Sequence, residues 1–181
     1  MDEFLMENIA IRRRFIILTD ASLVMNSTTI RGLSATGIAP LCTADKGSSI
    51  LLLASTFQHF TSREQNMMLL RGSFLTIRSC LWNDFNATVI SADRGSVHIQ
   101  DSQVSRGGLK YTSLGVTTQP IAGFLECKNC DLALRNSFFY DITGTTHWDG
   151  FVTEPQHAWE ASAGLFLYYS PSSSPGSSSS S

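Results

Sequence analysis

The chain has 181 residues, 43% of them hydrophobic and 15% charged, with a formal net charge of −2. That length holds one domain with a sizeable core, and the near-neutral balance argues against a nucleic-acid-binding surface. No stretch approaches the roughly 18 consecutive apolar residues of a membrane-spanning helix, and Met1 to Glu7 carries acidic residues without a secretion-signal core.

From the N-terminus, Arg12-Arg13-Arg14 reads as a solvated face or cap, and Phe15-Ile16-Ile17-Leu18 as a first strand. A spaced pattern of eleven residues then begins and occurs five times. Apolar residues hold its first, third, eighth and eleventh positions, and Ser, Thr or Cys holds its sixth. The copies are Leu23-Met25-Thr28-Ile30-Leu33, Ile50-Leu52-Ser55-Phe57-Phe60, Leu75-Ile77-Cys80-Trp82-Phe85, Val97-Ile99-Ser102-Val104-Gly107 and Leu132-Leu134-Ser137-Phe139-Ile142. Only Gly107 breaks the apolar rule.

At about 100° per residue these positions point all round a helix, so no helical face results. In an extended chain, residues two apart share a face. The first and third positions therefore agree, as do the sixth and eighth. Each three-residue jump between pairs reverses the side unless the chain turns a corner there. A bent chain keeps the whole set inside, which describes one coil of a solenoid that buries its core by stacking on a neighbour. Gly47-Ser48, Gly72-Ser73 and Gly95-Ser96 precede three copies, where a further corner needs a permissive backbone. The runs Phe15 to Leu18, Met67 to Leu70, Thr88 to Ile90 and Gly123 to Leu125 supply another strand per coil. The first positions are 27, 25, 22 and 35 residues apart, a variation that loops at corners absorb. None of the five prolines falls inside a copy. A leucine-rich repeat has similar spacing, but it would place Leu at the sixth position and Asn at the eleventh.

These residues, from about 15 to 142, resemble the right-handed parallel β-helix repeats of pectin-lyase-like proteins. They are similar also to polymorphic outer membrane protein repeats. The resemblance implies an all-β fold, a right-handed parallel β-helix of about five coils over residues 1–169. It is weak on function, because that architecture serves lyases, hydrolases, adhesins and stalks alike.

Loop insertions are expected near residues 107–120 and 143–163, and a disordered Ser/Pro/Gly tail over 170–181. Gly164-Leu165-Phe166-Leu167-Tyr168 resembles the entry strand Gly123-Phe124-Leu125-Glu126-Cys127, so a further coil starts there. This suggests a piece of a longer, secreted or cell-surface parent whose other coils would be partners. Cys80 reads as a small inward residue, and Cys127-Lys128-Asn129-Cys130 as a local disulfide or two thiols, since no second ligand pair makes a zinc site. Asn26-Ser27-Thr28 and Asn86-Ala87-Thr88 are glycosylation sequons.

For chemistry, Arg78, Gln100 and Arg135 share the outward fourth position and form a column able to hold an acidic sugar. Asp101 and Asn136 share the fifth position, beside Ser79. The 143–163 insertion holds His147, Trp148, Asp149, His157, Trp159 and Glu160, a candidate glycan-contacting loop. The spacings match no metal site, no cofactor motif is present, and no set of catalytic residues is assigned. The expectation is a non-catalytic extracellular or surface scaffold, adhesive or glycan-contacting. The alternative is a fragment of a pectin-lyase-like polysaccharide lyase or glycoside hydrolase, its site built by Arg78, Arg135, Asp101 and the 147–160 loop.

Overall fold

The computed structural model describes residues 4–11, 15–35, 40–62, 66–108, 124–143, 158–161 and 165–169. Among these residues every element is a strand, and the chain winds into a parallel β-solenoid of about four turns. All five copies of the pattern are present, and four turns separate the first from the fifth. Arg12 to Arg14, most of both loop insertions and the 170–181 tail lie outside the described residues.

The coil has three sides. Side one stacks β3 (Ile16–Thr19), β7 (Cys42–Asp45), the first halves of β10 (Met68–Arg78), β12 (Ile90–Gln100) and β14 (Leu125–Arg135), and β17 (Leu165–Tyr169). Side two stacks β4 (Ser22–Asn26), β8 (Ser49–Leu53) and the second halves of those three long strands. Side three stacks β1 (Phe4–Glu7), β5 (Thr28–Arg31), β9 (Thr56–Ser62), β11 (Leu81–Asn86), β13 (Gln103–Gly108) and β15 (Phe138–Thr143). Short strands β2 (Ala10–Ile11) and β6 (Ser34–Ala35) extend side three. One strand breaks the parallel rule: β16 (Ala158–Ala161) lies antiparallel to β17.

Each corner is a column of residues in the left-handed region. The first holds Asp20 (φ 50°), Lys46 (55°) followed by Gly47 (75°), Gly72 (60°), Arg94 (57°) followed by Gly95 (120°), and Asn129 (50°). The second holds the fifth pattern positions, Ser27, Ala54, Ser79, Asp101 and Asn136, all between 44° and 53°. The third holds the tenth positions, Gly32, His59, Asp84, Arg106 and Asp141, with Asn8 before them. One left-handed residue reverses the side of the strand, which is how both three-residue jumps stay inside.

The sixth position explains itself at the second corner. Each hydroxyl or thiol there donates to the carbonyl two residues back: Ser55 to Leu53 (2.7 Å), Cys80 to Arg78 (3.3 Å), Ser102 to Gln100 (2.8 Å) and Ser137 to Arg135 (2.8 Å). The same atom accepts the amide of its counterpart one coil earlier, as Ser55 does from Thr28 (3.2 Å) and Ser102 from Cys80 (3.1 Å). A buried amide that the bent ladder would orphan is thereby satisfied.

Inside, Phe57 stacks on Trp82 at 3.9 Å and 10°, and Phe124 meets the edges of Trp82, Phe85 and Phe139. Gly107 is the exception in the pattern because a β-carbon there would strike the Phe85 ring. An apolar cavity of about 40 Å³, bordered by Ile16, Leu23, Met25 and Cys42, lies in the first coils.

Candidate functional site

The outward residues of side two carry the candidate site. The register pairs Arg78 with Gln100 and Gln100 with Arg135, so the expected column exists, continued by Leu53 and Asn26. At one strand spacing per coil, Arg78 and Arg135 stand about 10 Å apart. Both are exposed, and among the described residues neither guanidinium has an ion-pair partner.

Asp101 sits on the adjacent second corner. One carboxylate oxygen accepts the Asn136 amide (3.2 Å) and the other accepts the Gln100 amide (2.9 Å). The carboxylate is thus held by two neutral donors, and the arginines beside it point to solvent unclaimed. Exposed His98 lies on the same side, between Thr76 and Ala133.

The remaining site residues lie elsewhere. His147, Trp148, Asp149 and His157 are outside the described residues. Trp159 and Glu160 belong to β16, which pairs with β17 at the edge of side one, Trp159 opposite Tyr168 and Glu160 opposite Leu167. Their backbone is therefore on a different side from Arg78 and Arg135.

Of the other described carboxylates, Asp131 shares the outward face of side two with Ala133 and Arg135, and the rest lie on other sides or corners. Asp84 takes the His59 Nδ1 at 2.7 Å on the third corner, and Asp45 and Asp93 lie on side one. The His59–Asp84 contact escapes a reading that treats His59 as isolated. Aligning the tenth positions of successive copies would have found it. The same alignment, carried back to side one, shows alternating signs in the column Asp45, Arg71, Asp93, Lys128. Neighbouring coils thus meet opposite charges, which favours this register over a slipped one.

The two free cysteines, Cys42 and Cys80, are buried. Burial pushes the Cys42 thiol up to about 11. Burial raises Cys80 too, partly opposed by hydrogen bonds with the backbone of Ser55 and Arg78. Cys127 and Cys130 are joined as a buried disulfide across the first corner, with Asn129 at the bend. Among the described residues no group of three His, Cys, Asp or Glu could hold a metal ion. No helix there is long and apolar enough to cross a membrane.

Fold and surface together define a parallel β-solenoid protein whose described strands stack on three sides. No protein-family profile, curated protein or solved structure matches the chain.

Proposed function

We propose that this chain is a non-catalytic scaffold of an extracellular or cell-surface protein, and that side two contacts acidic glycans through Arg78, Gln100 and Arg135. The observation that supports this most is the column itself: two arginines whose backbones lie about 10 Å apart on one sheet, without an ion-pair partner among the described residues, with Gln100 between them. A guanidinium fork matches carboxylate or sulfate oxygens in pairs. The buried Cys127–Cys130 disulfide favours an oxidising compartment. The sequon residue Asn26 is exposed at the end of β4. Further coils of a longer parent, in the manner of pectin-lyase-like or polymorphic outer membrane protein repeats, belong to the same reading.

An enzyme fragment asks for more at this corner. Glycoside hydrolysis uses two carboxylates flanking the bond, and the described neighbours of Asp101 in its column are Ser79 and Asn136. The test is retention on immobilised polygalacturonate against a neutral glucan. Salt-sensitive retention on the acidic polymer alone, lost in the Arg78→Ala/Arg135→Ala pair, with no chain cleavage, is the expected result. Equal retention of the double variant, or release of cleaved product, refutes the reading.

A further inference from the structure

The residue just before the first pattern position is Ser22, Ser49, Phe74, Ser96 or Asp131, and the ladder stacks these in one column on side two. Serine is the common occupant, and the third copy departs from it with a phenylalanine. Phe74 is 52% exposed between buried Ser73 and buried Leu75, so its ring stands outside the core. It takes no part in the ring contacts of the interior among the described residues. The coil gains little from it, because a half-wetted ring forgoes much of the burial that stabilises a fold.

Arg78 faces outward four residues along the same strand, about 13 Å away at the strand rise. Only the half-buried Thr76 lies between them on that face. The flanks of Phe74 are hydroxylic: Ser49 and Ser96 border it in the coils before and after, both half-buried. Leu51, half-buried, and His98, exposed, occupy the diagonals. An anchor site for a protein partner would ring the aromatic with more apolar surface. An exposed ring edged by hydroxyls, with cations farther along the sheet, instead matches a sugar chain. The face of an aromatic ring carries negative potential and attracts the polarised C–H groups on one face of a pyranose, whose hydroxyls then meet the serines.

We infer that Phe74 is the stacking residue of the side-two site, and that its ligand is a polymer of pyranose uronic acids rather than a polyanion of any backbone. The inference rests on the acidic-glycan reading above. One sugar unit lays its C–H face on the Phe74 ring, and carboxylates of later units reach Arg78 and, across Gln100, Arg135. The 13 Å spacing puts the ring and guanidinium contacts on different units of the chain. Asp131 sets the direction. It stands two coils from Phe74 in the same column, and its charge turns an acidic chain away from β14 there and along β10 toward Arg78.

The test is binding of the full chain to polygalacturonate and to poly-L-glutamate, a carboxylate polymer without rings, at one salt concentration. Phe74→Ala should weaken polygalacturonate binding by about threefold to tenfold, leave polyglutamate binding unchanged and keep the wild-type thermal transition. Phe74→Tyr keeps the ring and restores the affinity. Phe138→Ala, which removes an exposed ring from side three, changes neither. Wild-type affinity for polygalacturonate in Phe74→Ala, with loss in the Arg78→Ala/Arg135→Ala pair, overturns the stacking role and leaves the acidic-glycan reading standing. An equal loss on both polymers makes Phe74 a plain apolar anchor and overturns the pyranose assignment. A wild-type chain that does not bind polygalacturonate overturns the inference together with the reading beneath it.

Discussion

Ser102→Ala isolates the hydroxyl ladder from the rest of the core. Ser102 is 2% exposed, and its oxygen accepts the Cys80 amide at 3.1 Å while donating to the Gln100 carbonyl at 2.8 Å. Removing the hydroxyl leaves the Gln100 carbonyl with the Ser79 amide at 3.0 Å, so that group stays satisfied. The Cys80 amide keeps no partner and no route to water. An orphaned buried donor costs about 1–3 kcal/mol, and the loss should fall in that range. Ser137 makes the equivalent bond to the Ser102 amide at 3.2 Å, but it is only half-buried, so water can replace it. Ser137→Ala should therefore cost under about 1 kcal/mol. Urea denaturation of both variants gives the two values, and native-state hydrogen exchange at the Cys80 amide locates the damage. Equal losses, or an undiminished protection at Cys80, would refute the ladder as the reason for the sixth position.

Three further outcomes follow from the same geometry. Gly107→Val drives a side chain into the Phe85 ring and should destabilise by about 1–3 kcal/mol in a thermal or urea transition. Ala54→Gly relieves an exposed left-handed residue (φ 44°) and should stabilise by about 0.5–1 kcal/mol, measured the same way. Cys42 has its thiol raised in the folded chain, so folding there favours the protonated form. That contribution is present in full below about pH 9 and is lost as pH rises toward about 11. A pH series of urea midpoints should show the fall in the wild type and a shallower one in Cys42→Ala.

Much of the coil was legible because inward positions are apolar and their spacing survives loop insertions. The pattern marked two corners through its three-residue jumps, and the glycines at 47, 72 and 95 marked the other. The entry strand of the second coil was not legible: Cys42-Thr43-Ala44-Asp45 is short and mixed, and only its neighbours in the ladder reveal it. Most corner residues are likewise silent, since Ser, Asp, Asn, Arg and His adopt the left-handed region without a sequence mark as clear as glycine. Register was harder still. Leu165 to Tyr168 does stack on the preceding entry strand, but Leu165 sits opposite Leu125, one residue from the alignment of the two glycines in the sequence. For the candidate site, the Arg78–Gln100–Arg135 column followed from the repeat alone. The engagement of Asp101 by Gln100 and Asn136 needed side-chain positions.

The central claim is that the pattern copies stack in register as successive coils. Nitroxide labels at Leu51→Cys and Ala133→Cys test it most directly. Both positions are the outward second residue of their copies, separated by Thr76 and His98 in the same column. Three strand spacings put their backbones about 14 Å apart, although many residues lie between them in the chain. A narrow distance distribution consistent with that separation is the predicted result. A broad distribution, or one centred well beyond about 25 Å, contradicts the stacked coil and everything built on its outward columns.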